Sequence, residues 1–113
     1  MFNPLMRFFM AFISVFSLSC ILIPQAHAGA TAVAWTDNTP GNREIYCAVT
    51  PDNGGTWTIK RLTNNAGISA QPSVAVSGSN IHVAWMDNTP GNSEIYHAVS
   101  HDNGATWTKK RLT

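Results

Sequence analysis

Residues 100–107 read Ser-His-Asp-Asn-Gly-Ala-Thr-Trp and residues 50–57 read Thr-Pro-Asp-Asn-Gly-Gly-Thr-Trp, so one pattern, Ser/Thr-x-Asp-Asn-Gly-x-Thr-Trp, occurs twice. An aspartate at the third position can accept hydrogen bonds from the backbone N–H groups that follow it, and the glycine can adopt positive φ. Threonine and tryptophan then favour a return to β structure. The pattern therefore predicts a tight turn between two strands at each copy. Its residues are Asp52, Asn53, Gly54, Thr56, Trp57, Asp102, Asn103, Gly104, Thr106 and Trp107.

The two turns belong to a longer internal repeat. Residues 31–63 align with residues 81–113, and 24 of the 33 aligned positions are identical. A period near 50 residues built from short β segments is typical of stacked small sheets, which cannot bury both faces alone. Apolar alternation and turn residues predict four strands in the second copy and three in the first, and they predict no helix after residue 28. The predicted strands are 32–37, 44–50, 56–63, 72–77, 81–87, 94–100 and 106–113.

The repeated turn resembles the Asp-box, or BNR repeat, of sialidases and related β-propeller proteins. The resemblance implies an all-β fold in which residues 29–63 and 70–113 are two blades of antiparallel strands in a partial, sialidase-like β-propeller. It also implies that the Asp-box joins the third and fourth strands of a blade, on the side away from the substrate. The first blade lacks its first strand, and the family pattern implies six blades. We therefore expect this chain to be part of a longer propeller or to need self-assembly.

The first 28 residues have the composition of a signal peptide. Arg7 precedes an apolar run over residues 8–23, and Ala26-His27-Ala28 fits the small-x-small pattern of a cleavage site. We expect a helical signal peptide, cleavage before Gly29, and a secreted or periplasmic protein with no membrane association afterwards. The alternatives are a membrane anchor, for which the run is short, and a lipoprotein modified at Cys20.

Charge and cysteine content exclude several kinds of partner. Seven lysines and arginines stand against six acids, and one of the basic residues is Arg7 in the leader, so the remainder is neutral. Nucleic acid is not expected as a partner, because phosphate binding needs clustered positive charge. Without Cys20, Cys47 has no disulfide partner, and we interpret it as a partly buried strand residue. The histidines do not recur between the copies, so no metal or cofactor is expected.

Candidate binding residues lie in and beside the two loops that follow the predicted strands 32–37 and 81–87. Paired carboxylates there could serve in acid–base chemistry or bind Ca²⁺. Their presence in both copies instead favours structural turns, with a smaller contribution to surface recognition. The residues are Asp37, Asn38, Asn42, Arg43, Glu44, Asp87, Asn88, Asn92 and Glu94.

Resemblance to sialidases implies an arginine triad around the substrate carboxylate, a tyrosine–glutamate nucleophile pair and an aspartic acid. No residues of this chain match that set. Residues 69–72 contain no arginine, acid or tyrosine, whereas Arg61 and Arg111 fall on predicted outer strands. We therefore expect a non-catalytic exported propeller segment that presents loops to a glycan or a cell-surface protein. The alternative is a fragment of an exo-α-sialidase, a glycoside hydrolase, whose catalytic residues lie outside this chain.

Overall fold

The computed structural model describes residues 29–113, so the expected signal peptide over residues 1–28 lies outside the described residues. The described part contains strands and turns and no helix, which confirms the all-β prediction for this part of the chain. It follows that residues 29–113 contain no helix able to cross a membrane. The strands are β1 Thr31–Asp37, β2 Glu44–Thr50, β3 Thr58–Arg61, β4 Ser69–Ser77, β5 Asn80–Asp87, β6 Glu94–Ser100 and β7 Thr108–Arg111.

The strands form two antiparallel sheets, and the repeat in sequence is a repeat in structure. The first sheet has the order β1-β2-β3 and the second the order β4-β5-β6-β7. Equivalent residues pair in both sheets, as Trp35 does with Tyr46 and Trp85 with Tyr96. Within residues 29–113 the first sheet has no counterpart of β4, so β1 is one of its two edge strands.

Two kinds of strand boundary differ from the prediction. Strand β4 begins at Ser69 and contains an irregular register between Ala70 and Ser73, where Gln71 has φ of 59°. A bulge of this kind accommodates Pro72, which has no N–H to donate to a ladder. Strands β3 and β7 begin later than predicted because the N–H groups of Thr56 and Thr106 donate to aspartate carboxylates and not to a neighbouring strand.

The two sheets pack on each other through unlike faces. We call the face that carries the Trp–Tyr pair of each sheet, Trp35 with Tyr46 or Trp85 with Tyr96, the front face, and the opposite face the back face. The core lies between the back face of the first sheet and the front face of the second. Its buried side chains are Ile45, Cys47, Val49, Leu62, Ile81, Val83, Trp85 and Ala98.

Among residues 29–113, this packing leaves one face of each sheet uncovered. The composition of β5 suggests that its side with His82, Ala84 and Met86 packs on a neighbouring sheet. In the structure this side belongs to the uncovered back face of the second sheet. Cys47 is fully buried, more than the sequence suggests, because the second sheet covers it. Burial raises the pKa of the Cys47 thiol to about 11, so the thiol is protonated at neutral pH.

Candidate functional site

The aspartates of the repeated turn use their carboxylates to close the turn. Asp102 accepts hydrogen bonds from the Thr106 hydroxyl at 2.6 Å, the Thr106 N–H at 2.9 Å and the Ser100 hydroxyl at 2.8 Å. These hydrogen bonds, with those from Thr106 first, lower the pKa of Asp102 to about 2. Asp52 makes the same set with Thr56 and Thr50, and its pKa is also lowered. Both carboxylates are therefore occupied inside their turns.

The backbone of each turn takes positive φ at two successive residues. Gly54 and Gly104 have φ of 97° and 88°, as their positions predict. Asn53 and Asn103 have φ of 59° and 58°, which sequence reasoning did not assign to them. Asparagine is among the few residues that tolerate this left-handed region, so Asn-Gly is the sequence signal for the conformation.

The two tryptophans of the repeated turn lie in different surroundings. Trp107 is half-buried against the core, and its indole N–H donates to the Gly104 carbonyl at 3.0 Å. Trp57 is 46% exposed, because in the described part of the chain no sheet covers the front face of the first sheet. The same residue therefore closes a core in one repeat and faces solvent in the other.

At the opposite ends of the sheets, Asp87 organises the loop over residues 88–93. Its carboxylate accepts hydrogen bonds from the Ser69 hydroxyl at 2.7 Å, the Asn65 amide at 2.9 Å and the Thr89 N–H at 2.9 Å. Burial acts to raise the pKa of Asp87, but the hydrogen bonds from Thr89 and Ser69 outweigh it and the pKa is lowered. Asp37, its counterpart, accepts from the Thr39 N–H at 2.8 Å.

The segment over residues 62–68, which links the two sheets, is fixed to both loops. The side-chain amide of Asn42 donates to the carbonyls of Asn65 at 2.9 Å and Gly67 at 2.6 Å. The side chain of Asn88 accepts from the Ile68 N–H at 2.7 Å. A Cβ at Gly67 would lie 2.6 Å from the Cα of Thr89, so the segment and the second loop are in direct contact.

The two glutamates at the ends of these loops are paired with arginines. Glu44 is fully buried, lies 3.3 Å from the Arg61 guanidinium and accepts a hydrogen bond from the Thr63 hydroxyl. Glu94 lies 2.9 Å from the Arg111 guanidinium. The pair recurs in both sheets and ties the last strand of each sheet to the one before it. Asn38, Arg43 and Asn92 lie exposed at the surface of the same end.

A cleft of about 320 Å³ lies between the linker and the front face of the second sheet. The Trp85 and Tyr96 rings stack there at 6.0 Å, and the Lys109 ammonium donates to the Leu62 carbonyl at 2.7 Å. The side-chain carbonyl of Asn65 is buried and has no hydrogen-bond partner among residues 29–113. The lining residues are Leu62, Thr63, Asn64, Asn65, Trp85, Asp87, Thr89, Tyr96 and Lys109.

Of the loop residues selected from sequence, only Asp87 lines the cleft. Most of the others hold the loops and strand ends in place, and the linker residues that line the cleft were not selected. The Asn64-Asn65 pair before Gly67 is the available sequence signal, because a polar, glycine-containing link between two strands is where binding groups concentrate. No group of three or more metal-ligating side chains occurs within residues 29–113. A scan against models of known protein families finds no match, and neither does a search of the curated proteins.

Proposed function

We propose that this chain is an exported, non-catalytic segment of an Asp-box β-propeller that binds a glycan in the cleft between its linker and its second sheet. Three observations support the propeller part: the doubled turn motif, the equivalent registers of the two sheets, and the stacking of one sheet's back face on the other's front face. Repeated blades of a propeller would pack in this way.

The observation that carries the binding part is the mixed lining of the cleft. A sugar ring presents an apolar C–H face and a rim of hydroxyl groups, so it needs an aromatic surface beside hydrogen-bonding groups. Trp85 is only 3% exposed, so its stacking partner Tyr96 supplies the aromatic surface of the cleft, beside the ammonium of Lys109 and the buried, unpaired side-chain carbonyl of Asn65. An unpaired buried acceptor is costly unless a ligand or water supplies a donor.

The ion pairs favour binding over glycoside hydrolysis. A sialidase would use arginines to hold the substrate carboxylate, but Arg61 and Arg111 pair with Glu44 and Glu94 inside their own sheets. Asp52 and Asp102 are likewise occupied by their turns. An exo-α-sialidase activity would therefore have to draw on groups other than these.

The test is a glycan array probed with the chain expressed from its complete sequence, followed by calorimetric titration of the best ligand. Lys109→Gln is expected to weaken binding about tenfold, as the loss of one charged hydrogen bond would. Lys110→Gln is the matched control, because Lys110 pairs with His97 on the other face of the same sheet. Unchanged affinity in the Lys109 variant, or no glycan bound by the parent chain, would refute the proposal.

A further inference from the structure

Identical residues in the two repeats differ in burial, and the difference follows one rule. Ile45 is fully buried while its counterpart Ile95 is 41% exposed, and Val83 is fully buried while Val33 is 49% exposed. Leu62 and Leu112 differ in the same way. Each buried member faces the other sheet, whereas each exposed member lies on a face that nothing within residues 29–113 covers.

The two uncovered faces are complementary because the chain already contains their contact. The open front face of the first sheet carries Val33 and Ile59, beside the stacked Trp35 and Tyr46. The open back face of the second sheet carries Ile95 and Leu112. In the core, the equivalent front face and back face pack against each other, with Val83 on one side and Ile45 on the other.

We propose that the open back face of the second sheet docks on the open front face of the first sheet in a second copy of this chain, repeating the contact between the two sheets within one copy. The occupant is a second copy because 24 of 33 aligned positions are identical, so each surface resembles one already buried against the other. The open front face departs from its counterpart at Thr31 and Ile59, which stand where the second sheet has Ile81 and Lys109. The contact is heterologous, since different surfaces of the two copies meet. The inference does not depend on glycan binding.

On its shared strands the back face differs from its buried counterpart at three positions: Met86 replaces Thr36, and two neighbouring positions are histidines. His82 and His97 stand where the first sheet has Ala32 and Cys47. Their rings stack at 5.2 Å, and His82 Nδ1 lies 3.0 Å from His97 Nε2. One of these two nitrogens must be unprotonated for the hydrogen bond to form, so the pair is stable with at least one neutral ring.

Docking would bury this histidine pair among groups that cannot neutralise added charge. Within its own sheet, His82 lies beside Ala75 of β4 and His97 beside Lys110 of β7. The ionisable groups on the front face of the docked copy are Tyr46, Arg61, Glu44 and Asp37. Arg61 and Glu44 are already paired, and the Asp37 carboxylate accepts a hydrogen bond from the Thr39 N–H at the loop end of its strand. Burial and the neighbouring His82 both lower the pKa of His97. Protonation of both rings is therefore expected to oppose docking, so the assembly forms at pH 8 and dissociates near pH 5.

The test compares two charge variants with a control in sedimentation velocity, all expressed from the complete sequence. Val33→Glu removes the front surface and Ile95→Glu removes the back surface, so each alone is expected to be monomeric. A 1:1 mixture is expected to form a heterodimer and nothing larger, because each variant keeps one intact surface. Ile68→Glu, an exposed isoleucine of the linker outside both faces, is expected to assemble like the parent chain.

A parent chain that stays monomeric at high concentration would overturn the proposal, as would a mixture that forms no heterodimer. The pH arm has its own variant, His82→Ala with His97→Cys, which installs the residues of the first repeat. This variant is expected to remain assembled at pH 5. If this variant dissociates at pH 5 like the parent, the histidine pair does not control the assembly. The docking contact itself is then judged by the mixing experiment alone. Circular dichroism of each variant checks that the sheets are intact.

Discussion

Asp102 illustrates how much of the turn depends on one side chain. Its carboxylate accepts three hydrogen bonds within a single turn, and together these replace strand pairing where the chain reverses. A carboxylate held this way favours its charged form, which is why its pKa is lowered. The stability of the turn therefore depends on pH through Asp102, which lies outside the candidate cleft.

We predict that Asp102→Asn lowers the melting temperature at pH 7 and flattens the acid dependence of stability. A carboxyl whose pKa is lowered in the folded state stabilises the fold at pH values above its unfolded-state pKa of about 3.9. That contribution is lost as pH falls through the folded value of about 2. Thermal unfolding from pH 7 to pH 2 measures both effects, and Asn38→Ala in an exposed loop is the control. A variant with the parent's pH profile would show that the turn does not depend on this charge.

At the scale of elements, the linker over residues 62–68 is tightly constrained by its contact with a loop of the second sheet. Its Gly67 lies against the backbone of the loop over residues 88–93, and no Cβ fits without movement of one or the other. The same loop carries Thr89, which is bound to Asp87 at the edge of the cleft. A substitution in the linker should therefore shift the residues that line the cleft.

We predict that Gly67→Ala destabilises the chain by about 1–3 kcal/mol, as forced overpacking does, and also weakens any ligand bound in the cleft. Gly55→Ala is the matched control, because the second repeat already has Ala105 at that position. Chemical denaturation of both variants gives the comparison. Equal stabilities would mean that the link and the loop separate at little cost.

The sequence was sufficient for most strands but not for the cleft. Residues 81–87 and 94–100 alternate cleanly, so β5 and β6 were predicted almost to the residue. Strand β4 begins at Ser69, three residues before the predicted start at Pro72, because a bulge at Gln71 is not visible in composition. The cleft needs Lys109 of the last strand to meet Leu62 of the linker, a long-range contact that no local pattern encodes.

At the scale of the whole molecule, Cys47 reports whether the two sheets remain together. Its thiol is buried at their junction, and burial raises its pKa to about 11, so both access and reactivity are low. Nothing short of separating the sheets or opening the first sheet would expose it.

We predict that Cys47 in the native chain reacts with a thiol reagent at pH 8 only at the rate of unfolding. A Cys20→Ser background removes the other cysteine. His97→Cys is the control, because it places a thiol at the equivalent position of the uncovered back face in the second repeat, where labelling should be immediate if the chain is dilute. Fast labelling of Cys47 in folded protein would show that the two sheets part readily in solution.

The unlike-face packing of the two sheets also defines a geometric operation, the rotation and translation that carries one repeat onto the next. Applied again and again through a heterologous contact, such an operation either closes into a ring or continues as an open helical fibre. A ring has a fixed stoichiometry, so its mass reaches a plateau with concentration, whereas a fibre has no plateau and elongates until material is exhausted. The angle between two neighbouring sheets would thus decide between a discrete particle and a polymer.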